Sequence, residues 1–165
     1  MNTLTQPLRD EHKELLPHIE NILKVADSLT DAPLDEIRNG VKEVYDFLAY
    51  HLIPHAQAED AALYPAVQKV LGSPDATRTM SRDHLEVGRY VDELADLQSD
   101  LSPRSFKALQ RVLYGAYALV KVHFAKEEEV YLPILEEKLS LEEAREMFEA
   151  MEQAAGRAKL AVHVS

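Results

Sequence analysis

The chain has 165 residues, of which 46% are hydrophobic and 28% are charged, and its formal net charge is −11. Its 18 lysines and arginines are scattered along the chain, which argues against nucleic acid or an anionic membrane as a partner. It contains no cysteine, so disulfides, thiolate metal sites and cysteine nucleophiles are excluded. The first residues lack the pattern of a secretory signal, and we expect a cytoplasmic protein.

Helix-start signals divide the chain into five predicted helices. Pro33 follows the turn-like stretch SLTDA, and the Ser-Pro pairs at residues 73–74 and 102–103 have the residue types of an N-cap followed by a first helical position. Ser140 and Glu143 have the spacing of a capping box. No segment alternates with period two, so no sheet is expected. The predicted helices cover residues 4–28, 34–71, 75–99, 103–136 and 141–158.

Four of these helices are long and amphipathic, and the connections between them are short. This pattern predicts an all-α fold, an antiparallel up-down-up-down four-helix bundle with a short additional C-terminal helix. We expect residues 1–138 to form the bundle, and residues 139–165 to form a helix and tail that pack on it or extend from it. A chain of this length is sufficient for one domain with its own core.

Each of the four long helices carries one histidine within its apolar stripe. His12 stands in the stripe of the first helix and His84 in that of the third, among apolar residues spaced three and four apart. The second and fourth helices each add a glutamate one turn after the histidine, and residues i and i+4 share a helical face. The two pairs are His55 with Glu59 and His123 with Glu127.

Any one of these six residues has an ordinary explanation as a hydrogen-bonded core histidine or a carboxylate at the edge of the core. Taken together, they would bury two ionised carboxylates without a cation, which is costly enough to be rare. A pair of bound cations removes this conflict. The coincidence of all six residues therefore predicts a metal site.

The second half of the chain repeats the first. The segments HAQAEDAALYP, residues 55–65, and HFAKEEEVYLP, residues 123–133, share the same offsets from histidine to glutamate and on to proline, four and then six residues. His12 precedes the first segment and His84 precedes the second. A duplicated helix pair can close into a bundle with near two-fold symmetry, in which two half-sites face each other. Two half-sites predict two metal ions.

Four imidazoles and two carboxylates, with no sulfur, suit iron, with manganese and zinc as chemical rivals. If helix order follows the repeat, each ion takes two histidines and both glutamates bridge: His12 with His55, His84 with His123, and Glu59 with Glu127. Two six-coordinate ions offer about 12 positions, of which these residues fill about eight. A bridging oxo or hydroxo group would fill about two more, which leaves about two for water or a small ligand. Such a site is open, unlike a closed structural site.

The motif H-x-x-x-E-[DE]-x-x-x-x-P on the second and fourth helices, with single histidines on the first and third, closely resembles hemerythrin-like (HHE cation-binding) domains. The resemblance covers about residues 8–136. It implies an antiparallel four-helix bundle around a non-haem diiron centre. The ligand roles that it implies fall on His12, His55, Glu59, His84, His123 and Glu127.

Two positions depart from the pattern of the oxygen-carrying hemerythrins. Those proteins have a second histidine four residues after the first on the third helix, where this chain has Gly88. They also place a bridging aspartate five residues after the fourth-helix histidine, whereas Glu127 follows His123 by four. The pattern resembles the bacterial hemerythrin-like and iron-sensing branches rather than the oxygen carriers.

Other polar residues near the motif stay open at this stage. His51 lies one turn before His55, and Pro54 between them can kink the helix, so metal contact by His51 is undecided. Tyr64 and Tyr131 follow the glutamates and fit either core packing or a hydrogen bond to a bound ligand. Glu128 and Glu129 face solvent or orient a histidine, and the sequence does not choose. A protein partner or a homodimer is also undecided.

The sequence therefore supports two functions from different classes. In the first, the chain is a diiron binding or sensing module that engages dioxygen, nitric oxide or peroxide. In the second, the same centre is an enzyme that decomposes hydrogen peroxide or reduces nitric oxide. A third interpretation, a metal-free helical interaction protein, would have to bury the two glutamates without a cation.

Overall fold

A computed structural model describes residues 3–162 of the chain, so the last three residues of the predicted tail lie outside the described part. All regular structure in this range is helical. The helices span Gln6–Ser28 (first), Leu34–Leu71 (second), Arg78–Ser99 (third), Phe106–Lys138 (fourth) and Leu141–Val162 (fifth).

The first four helices form the predicted bundle. The first helix packs against the second and the fourth, and the third helix packs against the same two. Each helix therefore has two neighbours and faces the bundle axis, which places the apolar stripes of all four helices inside. The all-α prediction is confirmed.

Two of the helix starts differ from the prediction, and one is confirmed. The third and fourth helices begin at Arg78 and Phe106, so both Ser-Pro pairs lie in the turns before these helices and do not cap them. The first of these turns follows Gly72, whose φ of 66° ends the second helix in the left-handed conformation. The capping box is confirmed, because the Ser140 hydroxyl accepts a hydrogen bond from the Glu143 N–H at 3.2 Å.

Three prolines inside the second and fourth helices are each preceded by one π-helical turn. A proline lacks an N–H and its ring crowds the carbonyl four residues earlier, so the helix must adjust. In each case the residue just before the proline donates its N–H to the carbonyl five residues earlier, which widens the helix locally. The π-helical turns are Leu48–Leu52 before Pro54, Glu59–Leu63 before Pro65 and Glu127–Tyr131 before Pro133.

The apolar interior consists of two clusters of buried residues. The larger cluster fills one end of the bundle and includes Leu52 and Phe124. The smaller cluster fills the other end and includes Ala58 and Leu132, together with Met147 and other residues of the fifth helix. The fifth helix packs against the middle of the second helix. The buried histidines and glutamates lie between these two clusters.

No helix in residues 3–162 is both long enough and apolar enough to cross a membrane.

Candidate metal centre

All six residues predicted from the helix stripes converge at one place inside the bundle. Their ligand atoms fall into two groups, within each of which all atoms lie within 4.8 Å of one another. Glu59 belongs to both groups. The first group is His12, His55, Glu59 and Glu127, and the second is Glu59, His84 and His123.

Glu59 has one carboxylate oxygen facing each pair of histidines. Its Oε1 lies 2.9 Å from Nε2 of His55 and 3.8 Å from Nε2 of His12. Its Oε2 lies 3.2 Å from Nε2 of His84 and 3.9 Å from Nε2 of His123. The carboxylate therefore stands between two imidazole pairs and faces both of them.

Glu127 is placed in the same way on the opposite side. Its Oε2 lies 3.5 Å from Nε2 of His12, and its Oε1 lies 3.3 Å from Nε2 of His123. Both glutamates have fully buried side chains. Each is the first residue of a π-helical turn, so the proline six residues later shapes the backbone that carries the carboxylate.

Every one of the four histidines also has a carboxylate from a neighbouring helix beside its Nδ1 atom. Hydrogen bonds of this kind, present at His12, His84 and His123, fix the ring orientation and the tautomer and leave Nε2 free to bind a metal. Glu11, in contrast, lies close to His55 without an aligned hydrogen bond. The distances are 2.7 Å for His12 to Glu128, 3.1 Å for His55 to Glu11, 2.8 Å for His84 to Asp60 and 3.2 Å for His123 to Asp83.

These four contacts form a closed ring around the bundle. Glu11 joins the first helix to the second, Asp60 the second to the third, Asp83 the third to the fourth, and Glu128 the fourth to the first. The four carboxylates occupy equivalent positions in the two halves of the repeat. Glu11 and Asp83 directly precede His12 and His84. Asp60 and Glu128 directly follow Glu59 and Glu127.

Three of the carboxylates in the ring have a further partner. Arg9 pairs with Glu128, and Lys126 pairs with Asp83. The Ser81 hydroxyl donates to Asp60 at 2.5 Å. These contacts restrain the carboxylates and therefore the imidazoles behind them. Glu11 differs in having a half-exposed side chain, 49% accessible.

The inner atoms of the cluster lack hydrogen bonds that would account for their burial. Among the described residues, five buried inner atoms have no aligned hydrogen-bond partner: Nε2 of His12, Nε2 of His55, both oxygens of Glu59, and Oε2 of Glu127. Buried polar atoms are normally paired, since an unpaired one costs roughly 1–3 kcal/mol. Metal coordination would satisfy Nε2 and carboxylate oxygen atoms at the same time.

Tyr64 reaches into the second group from the apolar cluster below it. Its hydroxyl donates to Oε1 of Glu127 at 2.7 Å and lies 3.2 Å from Nε2 of both His84 and His123. Burial, followed by the negative charges of Glu59 and Glu127, raises the pKa of Tyr64 well above its usual range. The corresponding residue in the repeat is Leu132, which has no hydroxyl, so this contact breaks the symmetry of the two halves.

The remaining residues that the sequence left open fall outside the cluster. His51 is exposed and its ring stacks on Phe47. Tyr131 donates to the carbonyl of Ala76 at 2.9 Å, and Glu129 is exposed. A ring that the sequence did not single out, Phe124, stacks on His12 with centroids 4.3 Å apart and forms an apolar wall there.

In the metal-free cluster the pKa values of His55, His84 and His123 are raised, which favours their protonated forms. Burial alone would lower the pKa of His123, but the close carboxylates of Glu127 and Glu59, 3.3 and 3.9 Å from its Nε2, outweigh burial and raise the pKa to about 10. In the same way, Glu59 and Glu11 raise the pKa of His55 well above its usual value despite burial. The histidines in turn overcome the effect of burial on Glu59 and hold its pKa well below the usual range. A metal ion would replace these protons.

Sequence reasoning found the six inner residues and missed three carboxylates of the ring, Glu11, Asp60 and Asp83, as partners of the histidines. The repeat contained a signal for them, since an acidic residue precedes both His12 and His84. The contact of Glu128 with His12 answers the question left open for that residue. Tyr64 had no signal in the repeat, because its counterpart is a leucine.

The metal-free protein should become less stable as the pH rises from about 6.5 to about 10. In the unfolded chain His123 loses its proton near 6.5, whereas in the fold it keeps the proton up to a pKa of about 10. The stability contributed by the charged imidazole is therefore complete below the lower value and is lost on approach to the higher one. Thermal unfolding in excess chelator across this range measures the effect.

His123→Gln should make this fall in Tm smaller, whereas His51→Gln, which removes an exposed imidazole outside the cluster, should leave it unchanged. A Tm of the wild-type protein that does not vary over the range would contradict the proton-loaded cluster.

Replacing Pro133 by alanine should weaken metal binding by about tenfold or more, as is typical when a group that orients a ligand is changed. Alanine restores the missing N–H and removes the crowding that maintains the π-helical turn, so Glu127 loses its present orientation. Metal affinity is measured by competition with a chromogenic chelator. Pro17→Ala makes the same change at an exposed site inside the first helix and should leave the affinity unaltered.

The chain matches the family model described as hemerythrin HHE cation binding domain over residues 3–135. Searches of curated proteins and of solved structures found no match. The matched segment contains all six inner residues and all four carboxylates of the ring, and it ends before the fifth helix begins. A cation-binding domain agrees with the two groups of candidate ligand atoms in the bundle. The chain therefore belongs to the hemerythrin HHE cation-binding domain family.

Proposed function

We propose that the chain is a non-haem diiron protein that binds or senses a small molecule, namely dioxygen, nitric oxide or peroxide. The observation that carries the proposal is the convergence of four imidazoles and two buried carboxylates, with five of their inner atoms lacking hydrogen bonds. The ligands are His12 and His55 for one ion and His84 and His123 for the other. Glu59 and Glu127 bridge the two ions.

The number of ions follows from the symmetry of the site. One ion would leave either pair of histidines without a metal, although both pairs have the same arrangement of outer carboxylates. Imidazole and carboxylate ligands suit iron, and a six-coordinate site fits iron better than zinc, which prefers four ligands. When bound, the diiron centre supplies a redox-active pair of ions with open coordination positions.

Side chains around the metal centre determine which small ligands can bind there. Phe124 presents a ring beside His12, so this side of the centre is apolar. The Tyr64 hydroxyl lies on the other side and offers a hydrogen bond to a bound group. The surrounding helices bury the histidines almost completely, with at most 9% of any of their side chains exposed. Only a small molecule fits such a site without rearrangement of the bundle.

An enzyme that decomposes hydrogen peroxide or reduces nitric oxide is the second candidate. The buried hydroxyl of Tyr64 favours it, since a hydrogen-bond donor beside the reacting atoms assists bond cleavage in general. Sensing would require a protein partner or a second copy of the chain to carry the signal. The proposal keeps the expected cytoplasmic location.

Removing either bridging carboxylate should abolish stable loading of the pair of ions. Glu59→Gln and Glu127→Gln keep the size of the side chain but remove the charge that two cations require. We expect about two iron ions per wild-type chain and fewer than one in each variant, measured by elemental analysis after anaerobic loading and desalting.

Glu129→Gln is the matched control, because Glu129 is exposed and lies two residues from Glu127. It should keep the wild-type iron content. Far-ultraviolet circular dichroism separates metal loss from unfolding. The proposed ligand set would be contradicted if the Glu59→Gln and Glu127→Gln proteins remained folded and still held two ions per chain.

The spectrum of iron(II)-loaded protein should change when air is admitted. Reversible charge-transfer bands, which disappear when oxygen is removed, indicate dioxygen binding. Bands that persist until a reductant is added indicate oxidation and favour redox sensing or peroxide chemistry. No change in the visible and near-ultraviolet spectrum under either condition would contradict a redox-active iron pair.

The amount of hydrogen peroxide consumed distinguishes a protein that only binds or senses a small molecule from an enzyme. Protein present far below the concentration of hydrogen peroxide should destroy many equivalents if it is an enzyme, and about one equivalent if it only senses. Tyr64→Phe should slow this turnover while iron content stays at two per chain. Glu59→Gln, which lacks the iron pair, serves as the inactive control.

A further inference from the structure

The fifth helix, which lies outside the matched family segment, borders a cavity against the bundle that is open to solvent on one side. The cavity has a volume of about 400 Å³ and lies between the fifth helix, the start of the first helix and Ala58 of the second. This volume falls within the range of small-molecule pockets. Glu11 lines the cavity and lies 3.1 Å from Nδ1 of His55, so the cavity is adjacent to the metal centre.

Small residues keep this space open. Ala58 forms part of its wall, and Gly156 on the fifth helix faces it with no heavy atom within 4 Å of where a Cβ would stand. Glycine inside a helix costs roughly 1 kcal/mol relative to alanine. No positive φ requires glycine at this position. A concave surface of this size with an apolar wall and a few polar groups is a candidate binding site.

The residues that line the cavity favour binding of an organic cation over a neutral or anionic ligand. Two carboxylates line it, Glu11 from the first helix and Glu152 from the fifth, and among the described residues no lysine, arginine or histidine does. Phe148 and Met151 supply an aromatic ring and a thioether. Carboxylates together with an aromatic face attract an ammonium group, and the apolar wall accommodates a hydrocarbon body. The net charge of −11 adds a general attraction for cations.

One residue connects the cavity with the metal centre. Glu11 lines the cavity, and its Oε1 lies 3.1 Å from Nδ1 of His55. The other side of the same imidazole, Nε2, faces Glu59 at 2.9 Å. A cation that pairs with Glu11 draws its carboxylate away from His55. The imidazole then loses the group that orients it, which typically weakens metal binding by about tenfold or more.

We propose that this cavity binds a small organic ammonium ion with an apolar body, and that the bound cation weakens iron binding through Glu11 and His55. The second part rests on the proposed function of His55 as an iron ligand. By thermodynamic reciprocity, iron must weaken binding of the cation by the same factor.

Isothermal titration calorimetry with 2-phenylethylammonium chloride tests both parts, using the full chain once metal-free and once loaded anaerobically with iron(II). We expect saturable binding of one cation per chain, with a Kd about tenfold higher in the loaded protein. The neutral analogue 2-phenylethanol should bind at least about tenfold more weakly than the cation, because it lacks the charge that Glu11 and Glu152 recognise.

Two variants locate the site. Gly156→Leu fills the cavity from an open position, and Glu152→Gln removes one of its charges, so each should raise the Kd by about tenfold or more. Glu146→Gln is the control, since it makes the same change in charge on an exposed part of the fifth helix outside the cavity. It should leave the Kd unchanged.

Equal effects of Glu152→Gln and Glu146→Gln, equal binding of the neutral analogue, or no saturable binding would overturn the site. An equal Kd with and without bound iron would overturn the coupling. Failure of the diiron proposal is seen separately in the iron content, and the metal-free titration tests the cavity whatever that content is.

Discussion

The burial of two carboxylates among four imidazoles is the constraint on which the rest of the structure depends. Glu59 and Glu127 are fully buried, and an ionised carboxylate without a partner in the interior costs several kcal/mol or more. In the metal-free protein the compensation comes from protons held on the histidines, as the high pKa of about 10 for His123 illustrates. Cations offer a better solution, because they satisfy the atoms that now lack hydrogen bonds. The interior of the bundle therefore holds two carboxylates whose negative charge must be compensated by protons or by metal cations.

The helices adapt to this constraint in their local geometry. Each glutamate begins a π-helical turn, and a proline six residues later makes that turn necessary. The apolar residues are divided accordingly into one cluster on each side of the polar layer. Conserving both clusters and the layer between them requires long helices, which explains why so much of the chain is helical. The site and the fold are therefore parts of one arrangement.

The sequence was sufficient to predict the bundle and the six inner residues, because both depend on periodicity along single helices. A histidine in an apolar stripe and a glutamate four residues later point inward whatever the neighbouring helices do. The ligand assignment, the metal and the number of ions go beyond periodicity and stay proposals. The outer carboxylates were harder to find, since Glu11 contacts a histidine of the second helix and not its own neighbour His12. Such a contact depends on how two helices pack.

The late starts at Arg78 and Phe106 were missed because a Ser-Pro pair fits a turn as well as a helix start.

The ring of carboxylate–imidazole contacts has a consequence for how the chain could be connected. Each of the four helices gives a carboxylate to one neighbour and receives one from the other, so the order of the helices around the axis is encoded in side chains rather than in loops. The connecting turns then serve mainly to keep the helices at high effective concentration. A circular permutant that begins at the turn between the second and third helices would retain every contact of the ring. The two halves of the chain contribute equally to the ring, since each gives two carboxylates and two histidines.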